Sequence, residues 1–236
     1  MTFTWATGSH RGRIRDNNED SVFPNTGGKT DGRLVVAVAD GMGGHVGGEV
    51  ASRLAIKAIT TEPDLPIDQR ASVANDLILA EAAHRPQLRG MGTTLTAAEL
   101  LPAGSLVIAH VGDSRAYLLR SGILEQLTED HSVVAEYLRA GSIRPEDVAT
   151  HPQRSMLTRA LGLYPNVDVD IIEVRVRSGD RLMVCSDGLT SMVADQRIAG
   201  TLGLGTPEEA VWTLIEAANQ AGGHDNVSLA VVDVGS

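Results

Sequence analysis

Unbroken apolar runs and strict alternation divide this chain into strand-like segments, with only a few stretches of helical spacing between them. Leu34–Ala39 (LVVAVA) is a continuous apolar run that ends in Asp40-Gly41. Its length and valine content predict a strand buried on both faces. Gly47–Ile59 places Val50, Ala51, Leu54, Ala55, Ala58 and Ile59 on one side, as an amphipathic helix requires. Ile67, Ala71, Ala74, Leu77, Ile78 and Glu81 share a register that predicts a second helix over Ile67–His84. Thr93–Leu101 and Ser105–Val111 read as neighbouring strands joined by Pro102-Ala103-Gly104, and Arg115–Arg120 as another strand turning at Ser121-Gly122. Ile172, Val174 and Val176 alternate with Glu173, Arg175 and Arg177, a half-exposed strand that Ser178-Gly179-Asp180 turns into Arg181–Ser186. Pro207 opens a helix over Glu208–Ala221, and Asn226–Val234 closes the chain as a strand.

Asp130–Gly162 breaks this pattern. It is more polar and holds short helical pieces, Val133–Ala140 and Pro145–Thr150, so it reads as an excursion from the sheets. The overall order is strand-rich, with helices in pairs and late, unlike the βαβα alternation of a parallel sheet. Antiparallel sheets with helices packed outside fit it. No repeat, low-complexity tract or linker divides residues 1–236, which read as a single domain.

Composition narrows the function classes. Aromatics make up 3% of the 236 residues, so the core is built from Val, Leu, Ile and Ala. The single cysteine, Cys185, excludes an internal disulfide and a Cys-rich zinc site. Met1–Arg15 shows no leader-like apolar run, and no apolar stretch approaches the ~18 residues of a membrane span. These features predict a soluble, cytoplasmic protein, or the cytosolic domain of a longer chain. The net charge of −10 disfavours nucleic acid and anionic lipid as partners.

The acidic residues matter more by position than by number. Asp40 and Asp187 sit in Asp-Gly pairs after buried strands, Asp113 follows a third strand, Asp225 precedes the last one, and Asp20 closes NNED. These five aspartates lie 20, 73, 74 and 38 residues apart, yet all fall at predicted strand ends. Gathered at one rim they would suit a hard divalent cation; scattered, they would merely cap and turn. The glycine run Gly41–Gly48 lacks the pattern of a dinucleotide fold or a P-loop, and its glycines read as allowing close backbone approach. Cys185 has Ser191, not Arg, six residues on, so it is read as a core residue rather than a nucleophile. Asp168-Val-Asp170 has no buried strand before it and reads as a loop into a strand. Neither HExxH nor GxSxG occurs.

Eight segments, in order, carry a resemblance that covers almost the whole chain: RGRIRDNNEDS (11–21), VAVADGMGGHVGGEVAS (36–52), GMGTTLTA (90–97), AHVGDSRAYLLRSG (109–122), LTEDHS (127–132), HPQRSMLTRALG (151–162), GDRLMVCSDGL (179–189) and GGHDNVSLAVV (222–232). With these the chain resembles the bacterial metal-dependent Ser/Thr protein phosphatases, the PPM family of type 2C. The resemblance implies an α+β fold, a four-layer αββα sandwich of two antiparallel β-sheets flanked by helices on both faces. It implies two core Mn²⁺ or Mg²⁺ ions held by Asp20, Asp40, the Gly41 carbonyl, Asp187 and Asp225. Glu19 would act through a bound water, and Asp113 with Asp187 would hold a third, weaker ion. A hydroxide bridging the core ions would attack the phosphorus directly, with Arg15 gripping the phosphate. Residues 130–162 match a flap beside the site. Eukaryotic relatives carry His after the bridging Asp-Gly where this chain has Met42; His45 is a candidate to assist the leaving group, and a metal-bound water could equally protonate it. The implied partners are phosphorylated Ser/Thr proteins, a cognate Ser/Thr kinase among them, acted on by a monomer. The alternatives are a pseudophosphatase serving as a binding module, a phosphatase specific for a sigma-factor antagonist, and a metal-dependent nuclease. The first is disfavoured because the carboxylates are all present.

Overall fold

The computed structural model describes residues 1–43 and 46–236. In chain order its strands are β1 (Thr2–His10), β2 (Asp20–Phe23), β3 (Gly28–Thr30), β4 (Leu34–Met42), β5 (Gly92–Thr93), β6 (Leu95–Leu100), β7 (Ser105–Val111), β8 (Arg115–Arg120), β9 (Ile123–Gln126), β10 (Asp170–Arg175), β11 (Arg181–Cys185) and β12 (Val227–Gly235). The α-helices are α1 (Gly47–Thr61), α2 (Ile67–His84), α3 (Val133–Arg139), α4 (Asp187–Thr190), α5 (Asp195–Leu202) and α6 (Pro207–Gln220).

Two sheets result. The first runs β3-β1-β12-β11-β8-β9 and the second β10-β7-β6-β4-β2, with β5 paired to β4. The pairings are antiparallel throughout. Strand periodicity sorts the apolar side chains into three layers. On β4, Val36 and Val38 face the other sheet, while Ala37 and Ala39 face α1 and α2. On β12, Ala230, Val232 and Val234 fill the space between the sheets, and Val227, Leu229 and Val231 pack under α6. Both faces of these central strands are therefore dry, which is why their sequences run apolar without alternation. The αββα order matches the expected fold.

The sequence reading places the principal elements well and misses others. α2 and β8 begin and end where the pattern predicted. β1, β3, β9, α4 and α5 were not foreseen, and of β2 only its end at Asp20 was anticipated. One connection needs correction: Ser178-Gly179-Asp180 does not close a hairpin. β10 pairs with β7, whereas β11 pairs with β8 and β12 in the other sheet. The side chains explain the split. β10 leaves Ile171, Glu173 and Arg175 exposed along one face, while Leu182–Cys185 of β11 are buried on both.

Residues 133–157 form the excursion: α3, capped by the Ser132 hydroxyl, and a 3-10 turn over Pro145–Thr150. Within that stretch only Val134 is buried. The segment rejoins the body by bridges between Ser132 and Leu157 and between Thr93 and Leu161.

Candidate metal centre

The strand register itself drives carboxylates together. Asp20 opens β2 and lies directly across from Asp40 on β4, a like-charged cross-strand pair that is unfavourable on its own. Asp187 follows β11 at the first turn of α4, and Asp225 precedes β12 beside it. Asp113 sits in the turn between β7 and β8. Asp40, Asp113, Asp187 and Asp225 line one open cavity of about 610 Å³, together with Glu19, Gly41 and Arg15. Asp20 is buried beside Asp40, and one of its carboxylate oxygens accepts from the Ser186 hydroxyl at 2.8 Å.

The backbone around Asp40 is fixed from several sides. Its amide donates to Thr94 Oγ1 at 2.9 Å, and its carbonyl accepts from Thr93 Oγ1 at 2.8 Å and the Thr94 amide at 2.9 Å. Asn226 ties the preceding loop down: its side-chain oxygen accepts from the Glu19 amide and its nitrogen donates to the Arg11 and Asn17 carbonyls. The glycine run does what close approach demands. A Cβ on Gly41 would stand 2.1 Å from the Gly48 carbonyl oxygen, and one on Gly48 would stand 2.3 Å from Glu19 Oε2. Thr93, Thr94, Ser186 and Asn226 were not singled out from the sequence. Each lies inside or next to a matching segment, which was the available signal.

Electrostatics sets this rim apart. Burial pushes Asp20 up to about 7 and Asp113 up to about 8, and the neighbouring carboxylate of Asp187 adds to both. Burial, then repulsion from Asp20, Asp187, Asp113 and Asp225, raises Asp40 well above the carboxylate range. Asp187 is raised by burial and by Asp225. Arg15, half exposed, donates to Asp225 Oδ2 at 2.7 Å. Two buried oxygens, Asp20 Oδ1 and Asp187 Oδ1, have no partner among the described residues. No three of these groups already stand as a closed cage among the described residues. The donor set is nonetheless all oxygen, crowded and short of positive charge, which fits hard divalent cations and not a Cys or His metal site. His45 lies outside the described residues.

A family model described as protein phosphatase 2C matches residues 7–217. The chain belongs to the protein phosphatase 2C family. It is 42% identical to the serine/threonine protein phosphatase PstP of Mycobacterium tuberculosis, over 99% of this chain and 45% of that protein. It is also 42% identical to the serine/threonine phosphatase stp of Listeria monocytogenes, over 94% of this chain and 92% of that one. The crystal structure of the PstP catalytic domain in complex with two manganese ions superposes with a TM-score of 0.89 at 38% identity, covering 100% of this chain and 99% of that one. This type 2C domain thus spans under half the length of PstP, and nearly all of stp. Among the described residues, no helix is long and apolar enough to cross a membrane.

Proposed function

We propose that this chain is a metal-dependent protein serine/threonine phosphatase. Asp20, Asp40, Asp187, Asp225 and the Gly41 carbonyl would hold two Mn²⁺ or Mg²⁺ ions, and Asp113 with Asp187 a third. Bound there, the cations acidify water toward neutrality and offset phosphoryl charge. The single observation that carries the reading is the like-charged rim: four of five gathered aspartates are raised, and two buried oxygens lack partners.

The chain's own groups supply the rest. Arg15 lines the cavity on its open side, where its planar fork can grip two phosphate oxygens. Its bond to Asp225 holds the guanidinium over the site beforehand. The threonine bonds to Asp40 keep that carboxylate in place. Cys185 takes no part: it is fully buried, and burial pushes its thiol up to about 12. His45 is the candidate to protonate the leaving alkoxide. Residues 130–162 act as a flap, since Ser155, Met156 and Leu157 form one wall of the cavity. The substrates would be phosphorylated Ser/Thr proteins, a cognate kinase among them, met in the cytoplasm by a monomeric catalytic domain.

The test is hydrolysis of p-nitrophenyl phosphate across a Mn²⁺ titration, with chelator and Asp40→Ala as controls. Turnover that rises with Mn²⁺ and disappears in both controls is expected. A folded sample inactive at every Mn²⁺ and Mg²⁺ level would replace this reading with that of a binding module.

A further inference from the structure

Part of the cavity is not explained by phosphate chemistry. The same cavity that the aspartates line is also lined by Met42, Met156, Leu157 and Leu163. Met156 is 51% exposed and Leu163 39% exposed, so both present apolar surface to the opening. A phosphoryl group and its cations have no use for such a wall, and a cavity of about 610 Å³ is within the size range that takes a whole small-molecule ligand.

The wall is mounted on fixed backbone. The Val133 amide donates to the Met156 carbonyl at 2.9 Å, and the Thr158 amide to the His131 carbonyl at 2.8 Å. Leu157 lies between them, bridged to Ser132. Leu163 is held from both sides by the buried Asn75 of α2. Asn75 Oδ1 accepts from the Gly162 amide at 2.7 Å, and its Nδ2 donates to the Tyr164 carbonyl at 3.0 Å. A surface ordered before binding loses little entropy on binding. Its two methionines can still adjust to side chains of different shape.

We propose that Met42, Met156, Leu157 and Leu163 form a subsite for an apolar side chain next to the phosphorylated residue of a protein substrate. The proposal rests on the phosphatase reading and names the substrate class for the same site. Phosphate anchors at the aspartates and Arg15, and the flanking residue of an extended segment reaches the apolar lining of the same cavity. Sequences with Leu or Val beside the phosphoresidue are therefore selected over those with Ser.

Two fluorescent peptides test this, identical except for Leu or Ser on either side of a non-hydrolysable phosphonate analogue of phosphoserine. Binding to the full chain with Mn²⁺ is read by anisotropy, independent of turnover. The Leu peptide is expected to bind about tenfold tighter. The ratio is expected to fall to near one in Met156→Ser/Leu163→Ser and to survive in Met156→Leu. A wild-type ratio within about twofold, or a ratio that survives in the double Ser variant, overturns the subsite. Wild-type p-nitrophenyl phosphate turnover is measured alongside. Turnover without a peptide preference overturns the subsite alone, and preference without turnover supports the subsite while counting against the phosphatase reading.

Discussion

β11 and β12 carry buried or half-buried carboxylates at both ends, and the two ends neutralise them in opposite ways. At the end where β11 begins, Arg120 clamps Asp180 with bonds of 2.9 and 2.6 Å, and Arg181 clamps Asp233 with bonds of 2.5 and 2.9 Å. Burial alone would raise Asp180, but Arg120 and the Arg177 amide hold it below the usual carboxylate range. At the other end, Asp187 and Asp225 join Asp20, Asp40 and Asp113, with Arg15 the one arginine bonded to any of them among the described residues. A chain can bury carboxylates stably when it brings its own cations. Where it does not, the charge balance is left to something that binds. The contrast, rather than the number of acidic residues, singles out the end of the sandwich proposed to bind the cations.

The largest expected effect removes the middle of the crowded rim. Asp40→Asn should lower Mn²⁺-dependent turnover of p-nitrophenyl phosphate about a thousandfold, the scale of losing several kcal/mol of metal assistance. Turnover within tenfold of wild type would break the comparison at its functional end.

Stability measurements sharpen it by sign. Asp180→Ala leaves Arg120 unpaired and should cost about 2 kcal/mol, less than a fully buried pair because Arg120 is partly exposed. In chelated protein, Asp187→Asn relieves repulsion and should stabilise by about 1 kcal/mol, a rise of ~3 °C in Tm. Denaturation of both variants in chelator checks this, and matching signs would refute the contrast.

The pH dependence follows the same logic. Asp20 and Asp113 are raised in the folded state, to about 7 and about 8, above the ordinary value near ~4. Their favourable contribution is fully present below the unfolded pKa and is lost as pH rises through the folded values. Chelated protein should therefore melt at a lower temperature at about pH 8 than at about pH 5, and saturating Mn²⁺ should flatten that slope. Melting curves at both pH values, with and without Mn²⁺, decide it. The smallest effect is expected at Arg15, whose replacement by Lys keeps the charge but loses the fork and should raise KM about fivefold.

The sandwich was legible because its central strands are apolar on both faces and end in acidic residues. The rim was legible through those same aspartates, although their convergence came from the family resemblance rather than from spacing. What stayed hidden was chemically mixed. β1 reads as polar through Thr2, Thr4, Thr7 and Ser9, yet it lies between β3 and β12 and buries Phe3, Ala6 and Gly8. A Cβ on Gly8 would meet Val211 at 2.5 Å, so its missing side chain is what lets α6 pack closely. On α2, Arg70 and Asn75 are buried beside the apolar face because Arg70 finds the Ile59 carbonyl and Glu99, and Asn75 finds the 162–165 turn. Helical periodicity registers apolar residues and is blind to buried polar groups with partners distant in sequence. β10 and β11 illustrate a further limit, since a turn signal states that the chain reverses but not which sheet receives it.

Calorimetric titration of Mn²⁺ into chelated protein tests the central claim most directly, because it reads cation binding without reference to any substrate. Wild type should bind at least two equivalents, and Asp40→Asn should lose most of that heat while Asp180→Ala, if folded, keeps it. Absence of Mn²⁺ binding at millimolar concentration, or full binding by Asp40→Asn, would contradict the account.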